Sequence, residues 1–146
     1  MNDPFDDFVD ELQGQIDQET RETFGEIVYQ RWKNPLYMKA LADPDGYARQ
    51  TGSCGDSIEI WLQVDRGRIR DAGFQTDGCG PSAVCGSYAA EMAIGKTPLE
   101  AAELRGEDIL GVLGGLPEEN EHCAYLACAA LYAAVEDYMS RSGKKP

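Results

Sequence analysis

The chain has 146 residues, 42% of them hydrophobic, and a formal net charge of −13. That length suits one domain with a real core, and no apolar run reaches the roughly 18 residues a membrane-spanning helix needs. The acidity repels phosphate backbones and anionic lipid, so neither nucleic acid nor membrane is expected as a partner; basic protein surfaces or cations fit better.

The opening "MNDPFDDFVDELQGQ" is acidic. It lacks the basic start and apolar stretch of a secretory signal, so a cytoplasmic location with reduced thiols is expected. Five cysteines with no C-x-x-C pair argue against a disulfide framework. Metal binding or thiol chemistry is one reading of them, and inert buried packing is the other.

Residues 1–20 carry many acids and read as a partly ordered arm with a short helix at most. A single domain is expected from 21 to 146. "ETFGEIVYQRWKNP" spaces Phe24, Ile27, Val28 and Trp32 helically, and Pro35 marks its end. "LADPDG" is a turn-rich link. An extended piece near "YARQTGS" supplies a strand. In "SIEIWLQV", Ile58, Ile60, Leu62 and Val64 alternate with Glu59, Trp61 and Gln63, the pattern of a half-buried strand. "DRGR" is a tight turn, and "IRDAGFQT" returns with Ala72 and Phe74 inward.

After "DGCGP" the period becomes helical. "SAVCGSYAAEMAIG" is a helix ending at Gly95. "TPLEAAEL" has Thr97 as cap, Pro98 in the first turn and Glu100 three residues after the cap, a capping box. "GEDILGVLGGLP" is a short helix broken by glycines. The last helix is expected from about Glu118 to Met139, with a stripe of Cys123, Leu126, Ala127, Ala130, Leu131, Ala134, Val135 and Tyr138. Strands first and helices after predict an α+β fold: a small antiparallel sheet of about three strands, helices on one face, and a long C-terminal helix.

Three cysteines fall at element junctions. Cys54 lies in "GSCGD", Cys79 in "DGCGP", and Cys123 at the start of the last helix beside the chain's one histidine, His122. Helix N-termini favour thiolates. Asp56 stands two residues after Cys54. If these loops converge, they offer thiolates, a carboxylate and an imidazole, a donor set that suits zinc or iron. Each residue alone has a plainer reading. Cys123 could be core packing, His122 a surface or cap residue, Asp56 a turn residue and Cys79 part of a tight turn. Their shared placement at element ends favours a site. Cys85 and Cys128 sit inside helices among Ala and Gly and read as packing.

The motifs "CGD" (54–56), "GCG" (78–80) and "HC" (122–123), in this order, resemble the iron–sulfur cluster scaffold family of IscU and the NifU N-terminal domain. "DAGFQTDGCG", "GKTPLEAAEL", "DILGVLGGLP" and "HCAYLACAALYAAVEDY" extend the likeness to about residues 25–140. The resemblance implies a scaffold that builds a [2Fe–2S] cluster from iron and sulfur and passes it to apo-proteins, without being an enzyme itself. A cysteine desulfurase would supply the sulfur as persulfide. Cys54, Cys79 and Cys123 would hold the cluster or metal, with Asp56 or His122 completing the site. Cys123 matches the persulfide acceptor, and zinc can occupy the site in the isolated protein. The approach "LPEENE" lacks the proline pair and lysine of the chaperone-binding form, so no dedicated chaperone is expected. Two alternatives stay open. One is a zinc-dependent sulfur acceptor of the SufU kind, although the segment 80–122 resembles the shorter scaffold form. The other is a zinc-stabilised interaction module.

Overall fold

The structure is a computed structural model that describes residues 3–78 and 80–143. Three antiparallel strands form one sheet in the order β1 (Gly46–Thr51), β2 (Ser57–Asp65), β3 (Arg68–Thr76). β2 is central because it carries the strongest alternation. Ile58, Ile60 and Leu62 are fully buried on one face, while Trp61 and Gln63 are half-buried on the other. Register follows the pattern: Ile60 pairs with Ala48 on one side and Phe74 on the other, and Leu62 pairs with Ala72. Arg66 and Gly67 both take positive φ between β2 and β3. That twist is what a two-residue hairpin requires.

Helices cover the apolar face. α1 spans Pro4–Phe24, α2 Glu26–Lys33, α3 Gly80–Ala93, α4 Pro98–Ala102, α5 Gly106–Leu113 and α6 His122–Arg141. α6 lies across β1 and β2, and α3 lies on β3. Their inward residues are small, with Ala89, Ala90 and Ala93 on α3 and Ala127, Ala130 and Ala134 on α6. Small side chains let helix backbone approach sheet closely, so the core is shallow. The α+β architecture, the three strands and the long last helix agree with the expectation. The Thr97 capping box is present, with Thr97 Oγ1 accepting from the Glu100 N–H at 3.2 Å and Glu100 Oε1 accepting from the Thr97 N–H at 2.9 Å.

Three readings need correction. The acidic arm is not a short helix but the 21-residue α1. Asp3 caps it by accepting from the Phe5 N–H at 3.0 Å, Pro4 opens it, and Asp6 and Asp7 favour its positive end. Second, Gly25 (φ 90) divides α1 from α2 and resets the helical phase. Val28 and Tyr29 therefore face inward, while Ile27 is exposed. Third, residues 118–120 form a 3-10 turn, so α6 begins at His122 rather than near Glu118.

α2 is tied to the domain through Arg31. Its guanidinium donates to Ser87 Oγ and Glu91 Oε1, both at 3.0 Å, and lies 3.9 Å over the Tyr88 ring. Phe74 seats on α3 at Gly86, where a Cβ would come within 2.6 Å of the ring. Alanine gains roughly 1 kcal/mol over glycine in a helix, but overpacking a full core costs about 1–3 kcal/mol. Gly86→Ala is therefore expected to lower the melting temperature. Gly111→Ala in α5, with nothing within 4 Å of its Cβ position, is expected to raise it. Thermal unfolding of the two variants checks the sign of each.

Candidate metal centre

The β1–β2 connection, residues 52–56, is a tight loop. The Gly52 N–H donates to Asp56 O at 2.9 Å and the Gly55 N–H to Gly52 O at 3.0 Å. Cys54 is exposed at its tip. The loop rests on the first turns of α6, since a Cβ on Gly52 would meet Leu126 at 3.4 Å and the Cys54 sulfur at 3.6 Å.

The segment after β3 is pinned to this loop from below. The Ser57 N–H donates to Asp77 Oδ1 at 2.7 Å, and Thr76 Oγ1 donates to Ser57 O at 2.7 Å while accepting from the Gly78 N–H at 3.0 Å. Gly78 then passes so near the loop that a Cβ would lie 2.7 Å from Asp56 Oδ2 and 2.8 Å from Ser82 Oγ. A Cβ on Gly80 would enter the Trp32 ring of α2. Glycine on both sides of Cys79 is thus a steric requirement of the two neighbours. Cys79 itself lies outside the described residues.

α6 brings the third segment. His122 is its first residue and is exposed, whereas Cys123 is 1% exposed. Three contacts then run in series. Ser82 Oγ donates to Asp56 Oδ2 at 3.2 Å, Ser82 Oγ lies 3.4 Å from Cys123 Sγ, and Cys123 Sγ lies 3.7 Å from His122 Nε2. The structure therefore brings Asp56, Cys123 and His122 together through Ser82. Cys54 stays at the loop tip. Among the described residues, no three His, Cys, Asp or Glu side chains are already closed around a metal position. Asp56 comes from the 52–56 loop, and His122 and Cys123 from the start of α6.

Cys123 stands in the first turn of the 20-residue α6 and is buried there. Thiolate, imidazole and carboxylate suit iron(II) or zinc, and the carboxylate is the harder, weaker partner for iron. The other two cysteines lie further along their helices, Cys85 within α3 and Cys128 in the second turn of α6. Burial, with the nearby Cys123 and Cys128, pushes the Cys85 thiol far up. Burial, with Asp108 and Glu107, pushes Cys128 up to about 12. Both stay protonated near neutrality, as packing cysteines do.

Sequence reasoning missed Ser82 and Trp32. A serine in the apolar opening of a helix is the one local sign of the first. Trp32 reaches Gly80 only through folding.

At pH 8 in the metal-free protein, iodoacetamide is expected to modify the exposed Cys54 readily and to leave Cys85 and Cys128 unmodified. Their raised pKa keeps the reactive thiolate scarce, and burial blocks access. Peptide mass spectrometry reads this out. Rapid native-state modification of Cys128 would contradict its assignment.

Residues 23–145 match the family model of the NifU-like N terminal domain. The chain is 37% identical over 122 residues to the iron-sulfur cluster assembly scaffold protein IscU 1 of Archaeoglobus fulgidus, covering 83% of this chain and 80% of that protein. It is 34% identical over 125 residues to the iron-sulfur cluster assembly scaffold protein IscU of Aquifex aeolicus, covering 83% of this chain and 79% of that one. Among solved structures, a nitrogen-fixing NifU-like protein (N-terminal) from Brucella abortus superposes with a TM-score of 0.63 at 18% identity, covering 83% of this chain and 97% of that chain. A putative iron-sulfur cluster assembly scaffold protein for the SUF system from Fervidobacterium islandicum superposes at 0.62 and 20% identity, covering 80% and 98%. These two share the fold. With a family model spanning residues 23–145 and relatives matching over most of their length, the chain belongs to the NifU-like N-terminal domain family.

Proposed function

We propose that this protein is an iron–sulfur cluster assembly scaffold, carrying its cluster as cargo from a sulfur donor to client proteins. The supporting observation is the convergence at one end of the sheet. The 52–56 loop, the glycine pair 78 and 80, and the start of α6 meet there, and Asp56, Ser82, Cys123 and His122 form one chain of contacts between 3.2 and 3.7 Å. Relatives at 34–37% identity carry scaffold names, which supports the same reading.

In this reading Cys54, Cys79 and Cys123 hold iron through sulfur, and Asp56 or His122 completes the set. The cargo is a [2Fe–2S] cluster. Sulfur arrives from a cysteine desulfurase as a persulfide. The Cys123 thiolate attacks its terminal sulfur, a new S–S bond forms on Cys123, and the donor's S–S bond breaks to release the donor thiolate. Oxidation state is conserved in that exchange. Reduction to bridging sulfide then takes two electrons per sulfur from an external thiol or electron-transfer protein as the Cys123 S–S bond breaks. As the fourth ligand, Asp56 would bind iron more weakly than a fourth thiolate, which favours release over storage.

Anaerobic reconstitution with iron, cysteine and a desulfurase is expected to give a visible-absorbing, acid-labile cluster that moves to an apo-ferredoxin. A tightly held zinc with persulfide on Cys123 and no cluster would point to the sulfur-acceptor alternative. Unfolding on chelation, with no transferable sulfur, would point to a zinc-stabilised module.

Loss of any one site cysteine, in Cys54→Ala, Cys79→Ala or Cys123→Ala, is expected to lower cluster yield at least tenfold, the low end of what perturbing a metal site costs. Cys128→Ala is expected to leave the yield unchanged. Cluster yield per protein by iron and sulfide analysis checks both statements. Intact yield in all three site variants would overturn the assignment.

A further inference from the structure

The sulfur chemistry above leaves one polar group at the site without a task. Ser82 is fully buried in the first turn of α3, between Pro81 and residues that pack into the core. A buried hydroxyl is costly unless it is hydrogen-bonded, and alanine would fill the same space. The groups that satisfy this hydroxyl are both candidate ligands. Asp56 Oδ2, on the 52–56 loop, is 3.2 Å away, and Cys123 Sγ, on α6, is 3.4 Å away. The close pass of Gly78 leaves room for this oxygen, since a Cβ there would sit 2.8 Å from Ser82 Oγ.

A hydroxyl has one hydrogen to give and lone pairs to receive. In the structure the hydrogen goes to the Asp56 carboxylate, and the oxygen can receive the Cys123 S–H. Metal coordination changes the demand. A sulfur bound to metal has no hydrogen to offer and gains from a donor beside it, while a carboxylate engaged by metal no longer needs one. Rotation about the Ser82 Cβ–Oγ bond moves the hydrogen from carboxylate to sulfur with no heavy atom displaced.

We propose that Ser82 is a positioning residue of the assembly site. It yokes Asp56 to Cys123 before loading and donates to the Cys123 sulfur once cargo is bound. This rests on the scaffold reading. Outer hydrogen-bond partners of metal ligands typically contribute about 10–100-fold to affinity, and hydrogen bonds to ligand sulfur help set a cluster's potential. A donor to a bound sulfur draws off negative charge, so its removal makes reduction harder.

The test compares wild type, Ser82→Ala and Ser82→Thr. Zinc affinity is measured by chelator competition, and the reduction potential is measured after chemical reconstitution with iron and sulfide. Far-UV spectra confirm that the metal-free proteins share one fold. Ser82→Ala is expected to bind zinc about tenfold more weakly or worse, and its cluster potential should be more negative. Ser82→Thr, which keeps the hydroxyl, should return both toward wild type. If Ser82→Ala equals wild type in affinity and potential, or if a folded Ser82→Thr fails alongside it, the role assigned to the hydroxyl is overturned while the scaffold reading stands. A wild-type protein that takes up neither zinc nor cluster overturns both.

Discussion

The site depends on one constraint, the register of α6 against the sheet. At one end of β1, Gly46 admits the α6 backbone so closely that a Cβ there would lie 2.5 Å from Ala134 O. At the other end, Gly52 meets Leu126. Between these points the buried stripe of Ala127, Ala130, Leu131 and Ala134 rests on Ile58, Ile60 and Leu62. A slip of one helical turn would carry Cys123 about 5.4 Å from Asp56 and Ser82, and no hydrogen bond would survive it. Core packing of ordinary small residues therefore places the Cys123 sulfur.

Polar contacts hold the two loops to each other. The 52–56 turn and the segment after β3 share a polar web of Ser57, Thr76 and Asp77, with Arg49 bonded to Ser57 Oγ at 3.4 Å and near Asp77 at 3.8 Å. The web lies at the end of the sheet, where strand pairing runs out at Thr51 and Ser57. Polar loop contacts of this kind can open without disturbing the core. Hydrophobic packing fixes Cys123, while polar contacts hold the loop carrying Cys54 and Asp56. A scaffold that must both receive and release cargo gains from that division.

Much of the fold was legible because its signals are local. The alternation of Ile58, Ile60 and Leu62, the Arg66-Gly67 turn and the Thr97 capping box each lie within a few residues of chain. α1 was not legible as one helix. Its apolar positions Phe5, Phe8, Val9, Leu12 and Ile16 follow helical spacing, yet all remain exposed and are interleaved with acids. Such a pattern reads as a partly ordered acidic arm with a short helix. The break at Gly25 within "ETFGEIVYQRWKNP" was not legible either, because it depends on a backbone angle that spacing does not reveal. At the site, the junction positions of Asp56, His122 and Cys123 were visible, as was the packing setting of Cys85 and Cys128. Ser82 and Trp32 were not, because their partners lie dozens of residues away in the chain and meet them only when α2, α3 and α6 dock.

We propose that three separated segments supply one sulfur-rich metal site, and X-ray absorption at the zinc edge of the zinc-loaded protein reads its ligands out. Three sulfur scatterers near 2.3 Å and one nitrogen or oxygen near 2.0 Å are expected. A shell of nitrogen and oxygen alone, or a single sulfur, would contradict it.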